Sequence, residues 1–235
     1  MKQLFFSVKW HFFWWFNYFV LTILLRRKIS YNEREFELEK WGSPYGGWYI
    51  PTKLLNKNWI YYLVGVRDDI SFDLALTERV GCHVHSFDPT PYSMKYMRRF
   101  KKNKKIHFHP IGIWKENKTM RFSKLHDKKW NSGSIIDLEG TGKKAFSAKC
   151  RRLIDVMKDL KHKRVDLLKL DIEGAEYEVL DDMFSSGIEP RVLLVEFDQP
   201  RLVLKTYLMI LKILSRDYSL AIRDMWNFTF IKTKL

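Results

Sequence analysis

Beyond the first thirty positions, apolar residues fall into short runs of two kinds, and the two kinds alternate. "WIYYLVG" (Trp59–Gly65), "HVHSFD" (His83–Asp88), "IHFHPIGIW" (Ile106–Trp114), "VDLLKL" (Val165–Leu170) and "RVLLVEFD" (Arg191–Asp198) are compact and read as strands. Between them lie segments with apolar positions three and four apart. "DDISFDLALTERVG" is predicted helical, with Asp68, Asp69 or Ser71 at its start and Gly81 at its end. "PYSMKYMRRF" starts on Pro91 and turns Met94, Met97 and Phe100 inward. "CRRLIDVMKDL", "AEYEVLDDMFSSG" and "RLVLKTYLMILKIL" are three more helices. Thr119–Ser123 is expected to pair with the Ile106–Trp114 strand across a turn at 116–118, and "SLAIRDM" with "NFTFIK" as a closing antiparallel pair.

Strands alternating with helices of this length predict an α/β fold whose mostly parallel sheet is covered on both faces. The closing pair adds an antiparallel hairpin at the C-terminal edge. The chain divides into an N-terminal hydrophobic helix (1–30), a Gly-containing lead-in segment (31–58) and the α/β domain (59–235).

The first thirty residues follow neither pattern. From Leu4 to Leu25 the chain is apolar and aromatic, and as a helix it would extend about 33 Å, against a hydrocarbon core of roughly 30 Å. Lys9, His11 and Asn17 interrupt it, and its tryptophans favour the membrane interface. Three readings stay open: a membrane anchor, an in-plane helix at the headgroups, or a terminal helix docked on the domain. Arg26, Arg27 and Lys28 directly after it argue against a cleaved leader and place the following domain on the cytoplasmic side of a membrane.

Charge sharpens the picture. The net charge is +15, and it is concentrated: residues 1–30 carry five Lys/Arg and no acid, and Lys95–Lys105 carries seven and no acid. Such blocks suit an anionic partner, a membrane surface first of all. No nucleic-acid motif with aromatics set between basic residues is present, so nucleic acid is disfavoured. Two isolated cysteines, Cys82 and Cys150, make neither a disulfide framework nor a metal pair, and no metal site is expected. His107 and His109 share one strand face, which is read as exposed because no third ligand is in view.

In an open α/β sheet, ligands bind beyond the carboxyl ends of the strands. Gly65, Asp88, Asp171 with Glu173, and Glu196 end four of the predicted strands there. Gly65 followed by an acid about 20 residues later (Asp88) is the spacing with which such folds hold an adenosine. Arg67 stands where a second glycine of a dinucleotide loop would be, which disfavours a pyrophosphate. An adenosine bearing a short zwitterionic chain fits better, with Asp69 and Ser71 available to its ends; S-adenosylmethionine meets that description.

"VDLLKLDIEGAEYEVL" (Val165–Leu180) resembles the signature of the FkbM family of S-adenosylmethionine-dependent methyltransferases. "GVRDDISFDLAL", "HVHSFDPTP" and "RVLLVEFD" are similar to its other motifs, and "GSPYGGWYIP" to a segment found in a subset of the family. The resemblance covers about Gly42 to Lys232 and implies a Rossmann-like, doubly wound class I methyltransferase domain. It implies cofactor contacts at Gly65, Asp69, Ser71, Asp88, Asp171 and Glu196. It implies methyl transfer near Asp171 and Glu173 to a hydroxyl of a sugar, glycan or other small molecule. The family commonly has glycine at the place of Arg67.

Such a transfer needs a base for the hydroxyl proton. Glu173 is the first candidate and Asp171 the second. Glu176 is expected to be structural, in the first turn of the next helix. A catalytically inactive, membrane-associated adaptor and a nicotinamide-dependent oxidoreductase are the competing readings.

Overall fold

The computed structural model describes residues 2–26, 36–124, 133–134, 146–197 and 202–234, with side chains from Trp14 onward in the first stretch. Asp198, the end of the predicted Arg191–Asp198 strand, lies outside the described residues. Helix α1 (Lys2–Arg26) precedes a hairpin of β1 (Leu38–Trp41) and β2 (Trp48–Pro51). The alternating unit follows: β3 (Tyr61–Val64), α2 (Ser71–Arg79), β4 (Val84–Phe87), α3 (Pro91–Met97) and β5 (Ile106–His109). Four short strands come next, β6 (Gly112–Ile113), β7 (Lys118–Lys124), β8 (Gly133–Ser134) and β9 (Phe146–Arg151), then α4 (Leu153–Asp159). β10 (Leu167–Leu170), α5 (Glu176–Ser185), β11 (Val192–Glu196), α6 (Val203–Leu214), β12 (Tyr218–Asp224) and β13 (Asn227–Lys232) complete the chain.

The main sheet has the order β12-β13-β11-β10-β3-β4-β5. β11, β10, β3, β4 and β5 run parallel, while β13 and β12 form the antiparallel edge. This is the mixed, mostly parallel α/β sheet expected from the pattern, and it is consistent with a Rossmann-like fold. Strand order reverses between β3 and β10, so the crevice at their carboxyl ends is where a ligand belongs.

Strand periodicity distributes the core. Tyr62, Val64, Leu168, Leu170, Leu193 and Val195 pack on one face with α5, α6 and the described half of α1. Tyr61, Leu63, Leu167, Val192 and Leu194 pack on the other, with Phe72 and Leu76 of α2 and with Trp41, Trp48 and Ile50 of the hairpin. Every residue of β3 and β10 is buried, as a central parallel strand requires.

Of the three readings of the N-terminal helix, docking describes what is seen from Trp14 onward. Leu21 and Leu25 are fully buried in the core. Trp14 meets Trp226 edge-on at 5.6 Å, and the Arg223 guanidinium lies 4.1 Å from the Tyr18 ring centroid. No helix among the described residues is long and apolar enough to cross a membrane.

Two local expectations are corrected. The run Ile106–Trp114 is two strands, because Pro110 breaks it and β6 leaves for a second sheet. Consequently Thr119–Ser123 does not pair back on it: β7 pairs antiparallel with β9, and β6 pairs parallel with β9. Cys150 and Arg151, read as helical, belong to β9.

Candidate active site

The crevice is built first from backbone. β3 ends at Gly65, whose φ is +94°, and the chain turns there against the start of the Asp171 loop. Asp88, just beyond β4, is buried, and all four of its acceptor positions are engaged. The Val66 and Arg67 amides donate to Oδ2 at 3.0 Å each, and the Thr90 amide and hydroxyl donate to Oδ1 at 2.8 and 2.6 Å. Asp88 therefore pins the Gly65–Arg67 turn. Arg67 itself stands at φ +50°, the left-handed region in which side chains are strained.

At the ends of β10 and β11, two carboxyl groups meet: Asp171 and Glu196 share a hydrogen bond. Below them lies Lys169, a buried lysine in the middle of the central strand. Its ammonium donates to the Gly65 carbonyl at 2.9 Å and to Asp171 Oδ2 at 3.0 Å. Burial pushes the Asp171 carboxyl up, but Lys169, the Glu196 hydrogen bond and the Arg67 charge outweigh it and hold it below its usual range. A hydrogen bond between two carboxyls needs one proton, and the adjacent ammonium favours the ionised form at Asp171. Burial works against the Lys169 charge, which Asp171, Asp73 and Glu196 more than restore.

Asp69 and Ser71 face the lead-in segment. Ser43 Oγ donates to Asp69 Oδ2 at 2.5 Å, the Ser71 amide to Asp69 Oδ1 at 2.7 Å, and the Ser43 amide to Ser71 Oγ at 2.7 Å. Burial would raise the Asp69 carboxyl, yet the Ser43 and Ser71 hydrogen bonds bring it below its ordinary value. A Cβ on Gly46 would stand 2.6 Å from Asp69 Oδ2, so a side chain there would displace the carboxylate from its place beside Ser43. It carries Tyr45 over the crevice, where Arg67 NH1 donates to the tyrosine oxygen at 2.7 Å. Glu196 and Asp171 are near enough to raise the Tyr45 hydroxyl, after burial, while Arg67 opposes them.

The Asp171–Glu176 loop divides its acids. Glu176 is 1% exposed; its carboxylate accepts from the Ile172 amide at 2.7 Å and the Gly174 amide at 2.9 Å, closing the loop ahead of α5. Glu173 lies at φ +56°, followed by Gly174 at +100°. The structure thus joins Asp171 with Glu196, Gly65 and Lys169, sets Asp88 behind the turn, and holds Asp69 and Ser71 against the lead-in loop. Lys169 and Tyr45 are additions the pattern did not single out. The legible signal for Lys169 was a lone cation inside a buried strand, which must be paired.

The histidine face is corrected. His107 and His109 are half-buried in a ladder with His83 and His85 on β4 and its approach, the cross-strand nitrogens 3.0 Å apart in both pairs. His162 joins it, with its Nδ1 2.8 Å from the Tyr62 hydroxyl and its ring edge-on to His85. Among the described residues no group of three or more His, Cys, Asp or Glu is arranged to hold a metal ion.

The carboxyl-end crevice is where a parallel α/β sheet binds its ligands, and the comparisons say to which family the chain belongs. The Methyltransferase FkbM domain model matches residues 62–220, well over half of the chain. This chain belongs to that family. It is similar to the human "Probable methyltransferase-like protein 24", 24% identical over 142 residues; the match covers 59% of this chain and 32% of that relative. The chain thus aligns with about a third of that relative's length.

Proposed function

We propose that this protein transfers a methyl group from S-adenosylmethionine to a hydroxyl of a sugar, glycan or other small molecule. The observation that carries the reading is the Asp171–Glu196 pair beside the Gly65 turn, with Lys169 beneath both. The Gly65 turn, packed against the Asp171 backbone, lies at the carboxyl end of the central parallel strands, where sheets of this kind bind an adenosine. When bound, S-adenosylmethionine supplies an electrophilic methyl group. The Gly65–Arg67 turn, pinned by Asp88, would hold its adenosine side, and Tyr45 with Arg67 would cover it.

The acceptor hydroxyl must lose its proton as it attacks. Asp171, kept ionised by Lys169, takes that proton at Oδ1 or Oδ2, and Glu196 orients the receiving oxygen by sharing its hydrogen bond. Glu173, on the same loop, is the alternative base. Calorimetric titration of S-adenosylmethionine into the full chain tests the cofactor assignment: binding on the order of micromolar is expected. A cooperatively folded wild type that shows no heat of binding would sink it. Transfer of a labelled methyl group, weakened far more by Asp171→Asn than by Glu173→Gln, would separate the two bases.

Arg67 supports a second reading. Its left-handed backbone and its bridge to Tyr45 cover the crevice mouth, as a non-catalytic member of the fold would tolerate. Binding that appears only in Arg67→Gly would favour this inactive reading.

A further inference from the structure

Two helices packed against each other leave large apolar side chains in solvent. On α1, Trp15, Phe19 and Ile23 recur every four residues and are 55%, 62% and 53% exposed, while Leu21 and Leu25 of the same helix are in the core. On α6, Leu204 and Leu208 lie one turn apart at 66% and 55% exposed, while Met209, Ile210 and Ile213 are buried. Single exposed apolar residues are ordinary, but rows of them on two adjoining helices mark a surface that is covered in use.

The chemistry around the stripes selects what covers them. α1 ends in Arg26, and Arg27 and Lys28 follow; residues 1–30 hold five Lys/Arg and no acid. A second copy of the chain would set these cations against their own kind. An anionic bilayer neutralises them and takes up Trp and Phe at headgroup depth, where such rings are favoured. Because no described helix can cross a membrane, the contact is in the plane of the surface. The docked helix also reaches the site: Trp14 packs on Trp226, whose carbonyl accepts from the Phe197 amide at 2.8 Å, and Asn227 pairs with Glu196 in the sheet.

We propose that α1 and α6 form an in-plane docking surface for an anionic lipid bilayer, which holds the strand-end rim carrying Asp171 and Glu196 at headgroup level. The test uses the full chain with phosphatidylcholine–phosphatidylserine vesicles and with phosphatidylcholine alone. The wild type is expected to float with the anionic vesicles. The triple variant Trp15→Ser, Phe19→Ser, Ile23→Ser should partition at least about tenfold more weakly, since three large side chains lose their burial. An unchanged urea transition shows that the variant is folded. Orientation is read by an environment-sensitive dye at Met225→Cys, beside the rim, and at Lys104→Cys, at the opposite strand ends; the native Cys82 and Cys150 are buried. Only the Met225 position should shift to the blue on binding. A folded wild type that does not float, a triple variant that floats as well as wild type, or a shift confined to Lys104 would each overturn the proposal. So would a dimer in sedimentation that the triple variant abolishes and vesicles do not compete with.

Discussion

Gly65 and Asp171 meet backbone to backbone: a Cβ on Gly65 would stand 1.9 Å from the Asp171 carbonyl oxygen. The ends of β3 and β10 are thus pressed together at the floor of the crevice, with Gly65 at a positive φ that only glycine adopts freely. Gly65→Ala adds a clash with backbone to that strain, and backbone cannot swing aside. It should lower stability by at least about 3 kcal/mol. Urea denaturation followed by tryptophan fluorescence measures this; a variant within error of wild type would show that the two loops are not in contact.

Lys169→Met removes the ammonium and keeps most of the volume. Asp171, its partner, is still partly solvated, so the cost falls in the lower range for a broken buried pair, about 3 kcal/mol. The chemical signature is separate from the stability loss. Without Lys169 the Asp171 carboxyl titrates at higher pH, and the acid limb of a methyl-transfer profile should move to higher pH with it. An acid limb that stays put would remove Asp171 from the base role.

The histidine ladder makes stability fall in mild acid. Burial pulls His85 down to about 3, with the neighbouring His109, His162, His107 and His83 adding to it, and His107, His109 and His162 are lowered too. The unfolded chain takes up these protons near pH 6.5 while the native ladder refuses them. Stability is therefore full above about pH 6.5 and is lost as pH falls below it, each such group adding up to about 1.4 kcal/mol per pH unit. Asp73 opposes this: buried and raised to about 6, it adds stability below that pH, but it is one group against several. The urea midpoint at pH 5 should lie clearly below that at pH 7.5, and His85→Gln should narrow the gap. Equal midpoints would contradict the ladder.

Arg67→Gly should stabilise the fold. Relief of a left-handed φ on a non-glycine residue is worth about 1 kcal/mol, or about 2–4 °C in Tm. The lost hydrogen bond to Tyr45 is exposed and offsets little of that. Tyr45→Phe removes the same hydrogen bond without relieving the backbone, and should leave Tm within about 1 °C of wild type. If both variants melt below wild type, the bridge matters more than the strain.

What could be read from the chain was what local periodicity encodes. The five parallel strands and their helices were legible because each is a run whose period and length agree, and Gly81, Pro91 and Gly187 mark boundaries that the structure keeps. The β6–β9 sheet was not, because Pro110 ends one strand and starts another within a single apolar run. Cys150 and Arg151 adjoin a helix whose pattern absorbs them. The strand ends gave Asp171 and Glu196 as neighbours. They did not give Lys169, because its strand looks apolar unless its one cation is counted, nor the contacts of Asp69 with Ser43 and of Asp88 with the Val66 and Arg67 amides, which join residues more than twenty positions apart.

The lead-in loop has a practical side. Ser43 holds Asp69, the Lys169 ammonium lies over the Trp48 ring, and the Tyr49 carbonyl accepts from Thr229 of the last strand. A recombinant fragment whose start is drawn from the family match at residue 62 would leave all three behind. It would keep every carboxylate of the crevice and lose the wall they stand against, so a negative screen on such a fragment would say nothing of the intact crevice. Expression should begin upstream of Leu38.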